Sequence, residues 1–458
     1  MSLLIEALSK PIPLSHDIAP RIFPFIHKNV SIYGKKSFMW IGPTPRVIFT
    51  DPEMIKEIIN DNIKYRVPET NPFFKLFIHG LAFLEGDMWT KHQRLLNPAF
   101  HAEKLKCMIP AFDFCSCEMI KKWQDMISEG RNSCEIDVWP SLQILMGDVI
   151  SRIAFGSSYE EGRLIFELQV EQAKLAFQAV LSTYIRGSKF LPTKRNRRMK
   201  EIDRIVRFML KAIIDKKKAA MKSGESSTDD FLGILLEANA KEVDHENKYI
   251  GMSTEEVIEE CKLFYFAGQE TTSTLLVWTM ILLSMYPDWQ HRAREEVHQV
   301  IGDDKVNVDH VNRLKIVSTS FLQVLRLYPP VPLLVRRKRD GVTLGNTTIQ
   351  AKTDVALPTI LIHHDQHLWG ADAHEFNPER FSKGVLNATK GQAAAFFPFG
   401  IGPQNCIGQN LAMLEAKIAM ALILKNFSFE LSPSYTHAPI RIVTLHPQHG
   451  ASLILHKI

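Results

Sequence analysis

The sequence predicts a mainly α protein with small β-sheets, and three observations carry that expectation. Apolar residues recur at helical spacing through most of residues 52–330. Short runs of strand formers lie on either side, at 31–50 and 333–360. A last helical stretch spans 407–425. With 45% hydrophobic and 23% charged residues in 458, the chain has the composition of a globular protein that buries a large core. Its formal charge of +5 is too weak over this length to imply nucleic acid.

The opening forty residues carry scattered prolines (Pro11, Pro13, Pro20, Pro24) and are expected to form an extended lead-in. Strands are expected at 38–41 and 46–50, separated by Gly42-Pro43. Helices follow at 52–60, 87–97, 102–128, 139–155, 161–184, 198–223 and 253–286. Residues 333–360, with Gly341 and Gly345-Asn346, suggest short hairpins, and the chain ends on helix 407–425 and a terminal hairpin. The basic run 194–198 and the segment 216–230 read as a solvated helix edge and a surface loop, with docking to a membrane surface or partner as the other reading.

The six cysteines show no paired spacing, so neither a disulfide scaffold nor a zinc site is expected, and a reducing, cytosol-facing compartment fits best. Five of them, at 107, 115, 117, 134 and 261, read as core residues. No run of about 18 apolar residues occurs, so an N-terminal membrane anchor would lie outside this sequence. His363, His364, His367 and His374 lack the helical spacing and carboxylate support of a metal site. Hydrolase and nucleotidase loops are absent.

Two segments carry chemistry. Ser253 and Glu256 form a capping box, and Pro287 closes a helix about 50 Å long that is apolar on nearly every side. Its centre reads Ala267-Gly268-Gln269-Glu270-Thr271-Thr272, and polar residues inside a buried helix are costly unless something uses them. Gly268 would permit close approach of a flat ligand, and Thr271 and Thr272 could bond back to carbonyls and open a kink; a kinked structural helix is the plainer reading. The second segment, 396–408, is a Gly/Pro loop that delivers Cys406 just before a helix starting near Ile407. The positive end of that helix should favour a thiolate, and Gly402 and Gly408 leave room for a large planar group. A redox-reactive thiol and an inert buried cysteine remain open.

Phe399-x-x-Gly402-x-Gln404-x-Cys406-x-Gly408 resembles the haem-binding loop of cytochromes P450, and residues 267–272 resemble their oxygen-activating helix motif. Phe376-Asn-Pro-Glu-Arg380-Phe381, and Arg326 followed by Leu-Tyr-Pro-Pro, match two more family motifs in the required order. Finer wording, such as His363-His364-Asp365, is similar to the secologanin-synthase-like branch of plant cytochromes P450. The resemblance implies a single cytochrome P450 domain over 1–458, with a large helical body and a β-rich lobe. It implies haem b with Cys406 as axial iron ligand, and Glu270 and Thr271 as the acid–alcohol pair that carries protons. Phe399, Gly402, Gln404, Gly408, Gln93 and Arg336 would contact the cofactor. Substrate-facing positions would lie near 74–83, 264–267 and 331–335, including Phe264, Ala267, Val331 and Leu334. A monooxygenase that hydroxylates or oxidatively cleaves a hydrophobic terpenoid is implied, together with NADPH–cytochrome P450 reductase as electron source. The branch further implies a monomer at the cytosolic face of the endoplasmic reticulum membrane.

Three family charges are glutamine here: Gln93 and Gln404 stand where arginines would meet haem propionates, and Gln323 where a glutamate would pair with Arg326 and Arg380. Hydrogen bonds to charged groups are worth about 1.5–3 kcal/mol each, so losing two would weaken haem binding by roughly 3–6 kcal/mol. The alternative reading is therefore a P450-fold protein with weakened or lost haem binding, turned to non-oxidative catalysis or ligand binding.

Overall fold

The structure, a computed structural model, describes residues 2–458 except 43, 62–64, 69–71, 128–131, 157–158, 182–190, 225–229, 244–249, 339–340 and 345–346. The Gly345-Asn346 turn, the end of the expected helix 161–184 and part of the 216–230 loop lie outside the described residues.

The central helix runs without interruption from Thr254 to Met285. Its capping box is formed: Ser253 Oγ accepts from Glu256 N, and the Glu256 carboxylate accepts from Ser253 N at 2.7 Å. Both ends of the chain's helical body are built on this rod. Helix Val138–Phe155 crosses it so closely that a Cβ on Gly268 would come within 2.4 Å of Ile150. Gly268 therefore serves helix packing, a use that the sequence expectation did not include. Helical structure is continuous through this stretch: Thr271 bonds back to the Ala267 carbonyl as expected, while Thr272 instead donates to Glu415.

The expected helix 52–60 is present as Pro52–Asn60, started by Pro52 and by Asp51, whose carboxylate accepts from the amides of Glu53 and Met54. Others appear as Gly86–Leu96, Ala102–Met126, Tyr159–Leu181 and Lys194–Ser223. The basic run opens the last of these, where Arg198 pairs with Glu171 at 2.7 Å and with Glu201. The opening segment is not extended throughout: helices occupy Ser2–Ser9, Ala19–Ile22 and Pro24–Tyr33. Pro20 and Pro24 sit in the first turns of their helices, where a missing N–H costs nothing, so these prolines start helices rather than exclude them.

Strands Lys36–Ile41 and Thr44–Phe49 form an antiparallel hairpin at the edge of a five-stranded sheet that continues through Asp354–Leu357, Leu334–Lys338 and Tyr65–Arg66. The expected terminal hairpin is more elaborate. Phe427–Leu431 and Ser452–Lys457 pair with each other and with Ser133–Asp137, while a smaller hairpin, Pro439–Arg441 with Leu445–Pro447, projects between them. Trp278 of the central helix donates to the Leu445 carbonyl at 2.8 Å and pins this small hairpin. All six cysteines are free, but only Cys115 and Cys261 of the five outside the loop are buried; Cys107 and Cys117 are exposed and Cys134 is half-buried, against expectation.

Arg326 on helix Lys315–Leu327 is fully buried without a carboxylate partner. Its Nε donates to Gln323 Oε1 at 3.2 Å, and its Nη atoms donate to the carbonyls of His363, Ala373 and Glu375. Burial and then the Arg380 charge push its pKa down to about 9. Arg380 is held separately, by Asp372 at 2.5 Å and the Trp369 carbonyl, so no shared carboxylate joins the two arginines. Replacing Gln323 with Glu puts a negative charge on the existing Arg326 contact. We expect the variant to be more stable by about 1–2 kcal/mol at neutral pH, read as a higher Tm in thermal unfolding; a lower Tm contradicts this account.

Candidate functional site

The loop at 396–408 is shaped by positive φ angles at Gly400 (76°) and Gly402 (77°), a backbone region that side chains disfavour. A Cβ on Gly402 would meet Asn60 and Ile59, so this glycine seats the loop against helix Pro52–Asn60. Cys406 N donates to the Phe399 carbonyl at 2.8 Å, closing the loop. Phe397 N donates to Nε2 of His363, whose burial pushes its pKa down to about 3 and keeps that nitrogen an acceptor. His363 is thus a brace for the loop, and no cluster suited to a metal occurs among the described residues.

Helix Gln409–Asn426 begins two residues later than expected. Burial pushes the Cys406 thiol pKa up, opposed by the backbone N–H of Gly408, so the helix alone does not create a thiolate. Cys406 lies deep in the protein and yet keeps accessible surface. We read the two together as a sulfur that faces an interior cleft. Gly408 lies against Phe100, and a Cβ there would stand 4.0 Å from the sulfur.

A stripe of the otherwise buried central helix keeps accessible surface as well: Phe264, Ala267, Gly268 and Thr271, at i, i+3, i+4 and i+7. Thr272, next to that stripe, donates to Glu415 on the helix that follows Cys406 at 2.6 Å, which ties the two elements together. Phe264 stacks on Phe231 with centroids 4.1 Å apart. Val331 is 37% exposed and Leu334 half-buried beside the second core cluster. Glu270 and Thr271 are not brought together. Glu270 faces away from the stripe, accepting from Thr444 Oγ1 at 2.7 Å and pairing with His446.

Haem fits the remaining donors. Arg336 is enclosed, its pKa lowered by burial, and its guanidinium has only the adjacent Val335 carbonyl, at 3.1 Å, as an acceptor among the described residues. A desolvated cation so placed calls for an anionic partner. The amides of Gln93 and Gln404 are half-buried and have no protein partner among the described residues. Arg94 does not stand in for Gln93: it is 61% exposed and pairs with Glu242. A buried guanidinium bonded only to a neighbouring carbonyl, two half-buried amides and an accessible cysteine are the kinds of group that the acids and iron of a haem call for.

Sequence reasoning missed Glu415, Thr444 and His446. Glu415 is a lone acid within an apolar helix, nine positions after Cys406, and that spacing was a usable signal. The other two sit on a small hairpin whose docking depends on long-range packing, and no local pattern marks them.

The family model for cytochrome P450 matches residues 16–452. The chain is 60% identical over 454 residues to Cytochrome P450 72A397 of Kalopanax septemlobus, an alignment covering 99% of this chain and 87% of that one. It is 53% identical over 462 residues to 7-deoxyloganic acid hydroxylase of Catharanthus roseus (100% and 88%), and 51% over 457 residues to Cytochrome P450 72A15 of Arabidopsis thaliana (100% and 88%).

Burial raises the Glu415 pKa to about 8, only partly offset by the Thr272 hydroxyl. An unfolded glutamate releases its proton near pH ~4.3. From there up to about 8 the folded state holds a proton that the unfolded state has lost, so this residue makes stability fall as pH rises through that window. Glu415→Gln removes the slope. Its stability gain over the unaltered chain should be greater at pH ~8 than at pH ~5, by about 1–3 kcal/mol in denaturant titrations; an equal gain at both pH values contradicts the assignment.

Proposed function

The chain belongs to the cytochrome P450 family and is a haem-dependent monooxygenase, and from that premise we propose that it hydroxylates or oxidatively cleaves a terpenoid-type substrate. Support for the substrate class comes from the relative named 7-deoxyloganic acid hydroxylase and from the apolar residues on the accessible side of the cleft. The observations that carry the reading are an accessible, deeply set Cys406 and a buried Arg336 guanidinium with only the Val335 carbonyl as acceptor among the described residues. The alternative of a haem-free binding protein is not favoured, because these groups have no other use.

In this reading Cys406 is the iron ligand, while Arg336, Gln93 and Gln404 hydrogen-bond the acid groups. Bound haem supplies oxygen activation at its iron, with electrons delivered by a reductase. The Gly408 amide donates to the sulfur and withdraws charge from it. Phe399 and Gly408 shape the cleft beside the sulfur. Phe264, Ala267, Val331 and Leu334 would present the substrate with an apolar wall that excludes water. The Thr271 hydroxyl lies on the same accessible stripe, bonded to the Ala267 carbonyl at 2.6 Å, and moves a proton only after leaving that carbonyl. Glu270 is the buried acid one position away that supplies it. The chain would act as a single-domain monomer with NADPH–cytochrome P450 reductase, at the cytosolic face of the endoplasmic reticulum. Among the described residues no helix is long and apolar enough to cross a membrane. Surface attachment would use exposed apolar side chains such as Phe38 and Trp40, 49% and 62% exposed.

Purified ferrous protein under carbon monoxide should show the thiolate-type Soret band, and Cys406→Ser should lose it. 7-Deoxyloganic acid and triterpenoid acids, tested with reductase and NADPH, should include a substrate that gives a hydroxylated or cleaved product by mass spectrometry; no band in haem-supplied preparations would sink the reading. Arg336→Leu removes charged hydrogen bonds worth about 1.5–3 kcal/mol, a loss of haem affinity of roughly ten- to a hundredfold in transfer to apomyoglobin. Gln93→Arg with Gln404→Arg should slow haem transfer; unchanged transfer would show that these positions do not touch the propionates.

A further inference from the structure

Behind the central helix, on the side opposite the accessible stripe, lies a second cavity of about 330 Å³. It is lined by Glu270, His446, Trp139, Lys174, His449 and Asp137, among others, with exposed Lys174 and His449 on its rim. His446 comes from the small hairpin pinned by Trp278 and packs its ring against Trp139 at 5.2 Å. Its Nε2 meets Glu270 Oε1 and lies 2.6 Å from Thr444 Oγ1. Glu270 is 3% exposed. A carboxylate sealed into an apolar helix can exchange protons only through a titratable neighbour or water, and His446 is the titratable group in contact with it.

We propose that His446 is a positioning and relay residue for the monooxygenase reaction: it holds Glu270 toward the second cavity and passes it protons from water there. The inference rests on the haem-monooxygenase reading but concerns a different face of the helix. In the relay step, the His446 imidazolium passes its Nε2 proton to the Glu270 carboxylate, and the ring is re-protonated from water in the cavity. One proton enters, one leaves, and no electron moves. The charged groups around this pair are Lys174 from helix Tyr159–Leu181, Asp137 at the start of helix Val138–Phe155, and His449 on the hairpin side. Burial pushes the Glu270 pKa up, but the His446 charge and hydrogen bond, the Thr444 hydroxyl and the Lys174 charge outweigh it and leave the acid below its ordinary value.

The test compares His446→Gln and His446→Arg in holoenzyme prepared with haem. The infrared band of the protonated Glu270 carboxyl is identified by its loss in Glu270→Gln, without turnover. Removing the imidazole cation should let this band appear at higher pH in His446→Gln, by more than one unit, while His446→Arg, which keeps a cation, should restore the original titration. During turnover with reductase, both variants should divert several-fold more NADPH electrons to hydrogen peroxide, because neither relays a proton. The carbon monoxide band and substrate-induced spectral shift should stay unchanged, which separates relay from folding. A Glu270 titration indifferent to His446, or peroxide yields equal to those of the unaltered enzyme, would overturn the proposal. Loss of the carbon monoxide band in the unaltered protein would instead count against the haem reading, and the infrared comparison would still decide the His446–Glu270 coupling.

Discussion

Polar side chains in the middle of the central helix would each cost about 1–3 kcal/mol if left unsatisfied in an apolar interior. The structure places a partner for every one of them, and apart from Thr271 those partners lie on three other elements. Gln269 reaches the Gln143 carbonyl and Ser273 the Leu142 carbonyl, both on the crossing helix. Thr272 reaches Glu415 on the helix after Cys406, and Glu270 reaches Thr444 and His446 on the small hairpin. Thr271 satisfies itself within the helix and so leaves its face open to the cleft. Satisfying these few groups fixes how three elements dock on the rod, and the cleft is what remains between them.

The same accounting explains how the site tolerates neutral replacements. Gln323 cannot offer Arg326 a charge, yet its carbonyl takes one donor and three backbone carbonyls take the others. Folding can therefore proceed with the arginine desolvated and fully hydrogen-bonded, at the cost of a lowered pKa. Gln93 and Gln404 differ from Gln323 because no group among the described residues occupies their amides. Their loss of charge bears on the bound group and not on the fold.

Much of this was legible in the sequence. The central helix declared its start by Ser253 and Glu256 and its end by Pro287, and helix Pro52–Asn60 by Asp51 and Pro52, because caps and prolines act locally. The Cys406 loop declared itself by glycine placement, and Gly402 and Gly268 are short of space against Asn60 and Ile150, neighbours that no local pattern names. A glycine reports that something is near and not what it is. The first forty residues misled because proline's meaning depends on whether it falls in a first turn. Thr444 and His446 were illegible for a different reason: their partner is more than 170 residues away in sequence, at a separation of 174 and 176, and only tertiary packing joins them.

Glu270 and Glu415 show how one helix can be flanked by two buried carboxyl groups in opposite states. Both suffer desolvation that favours the neutral acid. Glu415 meets only the Thr272 hydroxyl, so its pKa rises to about 8 and it stays protonated near neutrality. Glu270 meets His446, Thr444 and the more distant Lys174, and its pKa falls instead. The difference lies in what the small hairpin brings, since burial is equal on both sides. Where neighbouring acids are driven apart in this way, the ionised one is the group able to take a proton and the neutral one is a structural clip. The hairpin's docking, to which the indole hydrogen bond to Leu445 contributes, thus decides which face of the helix handles protons.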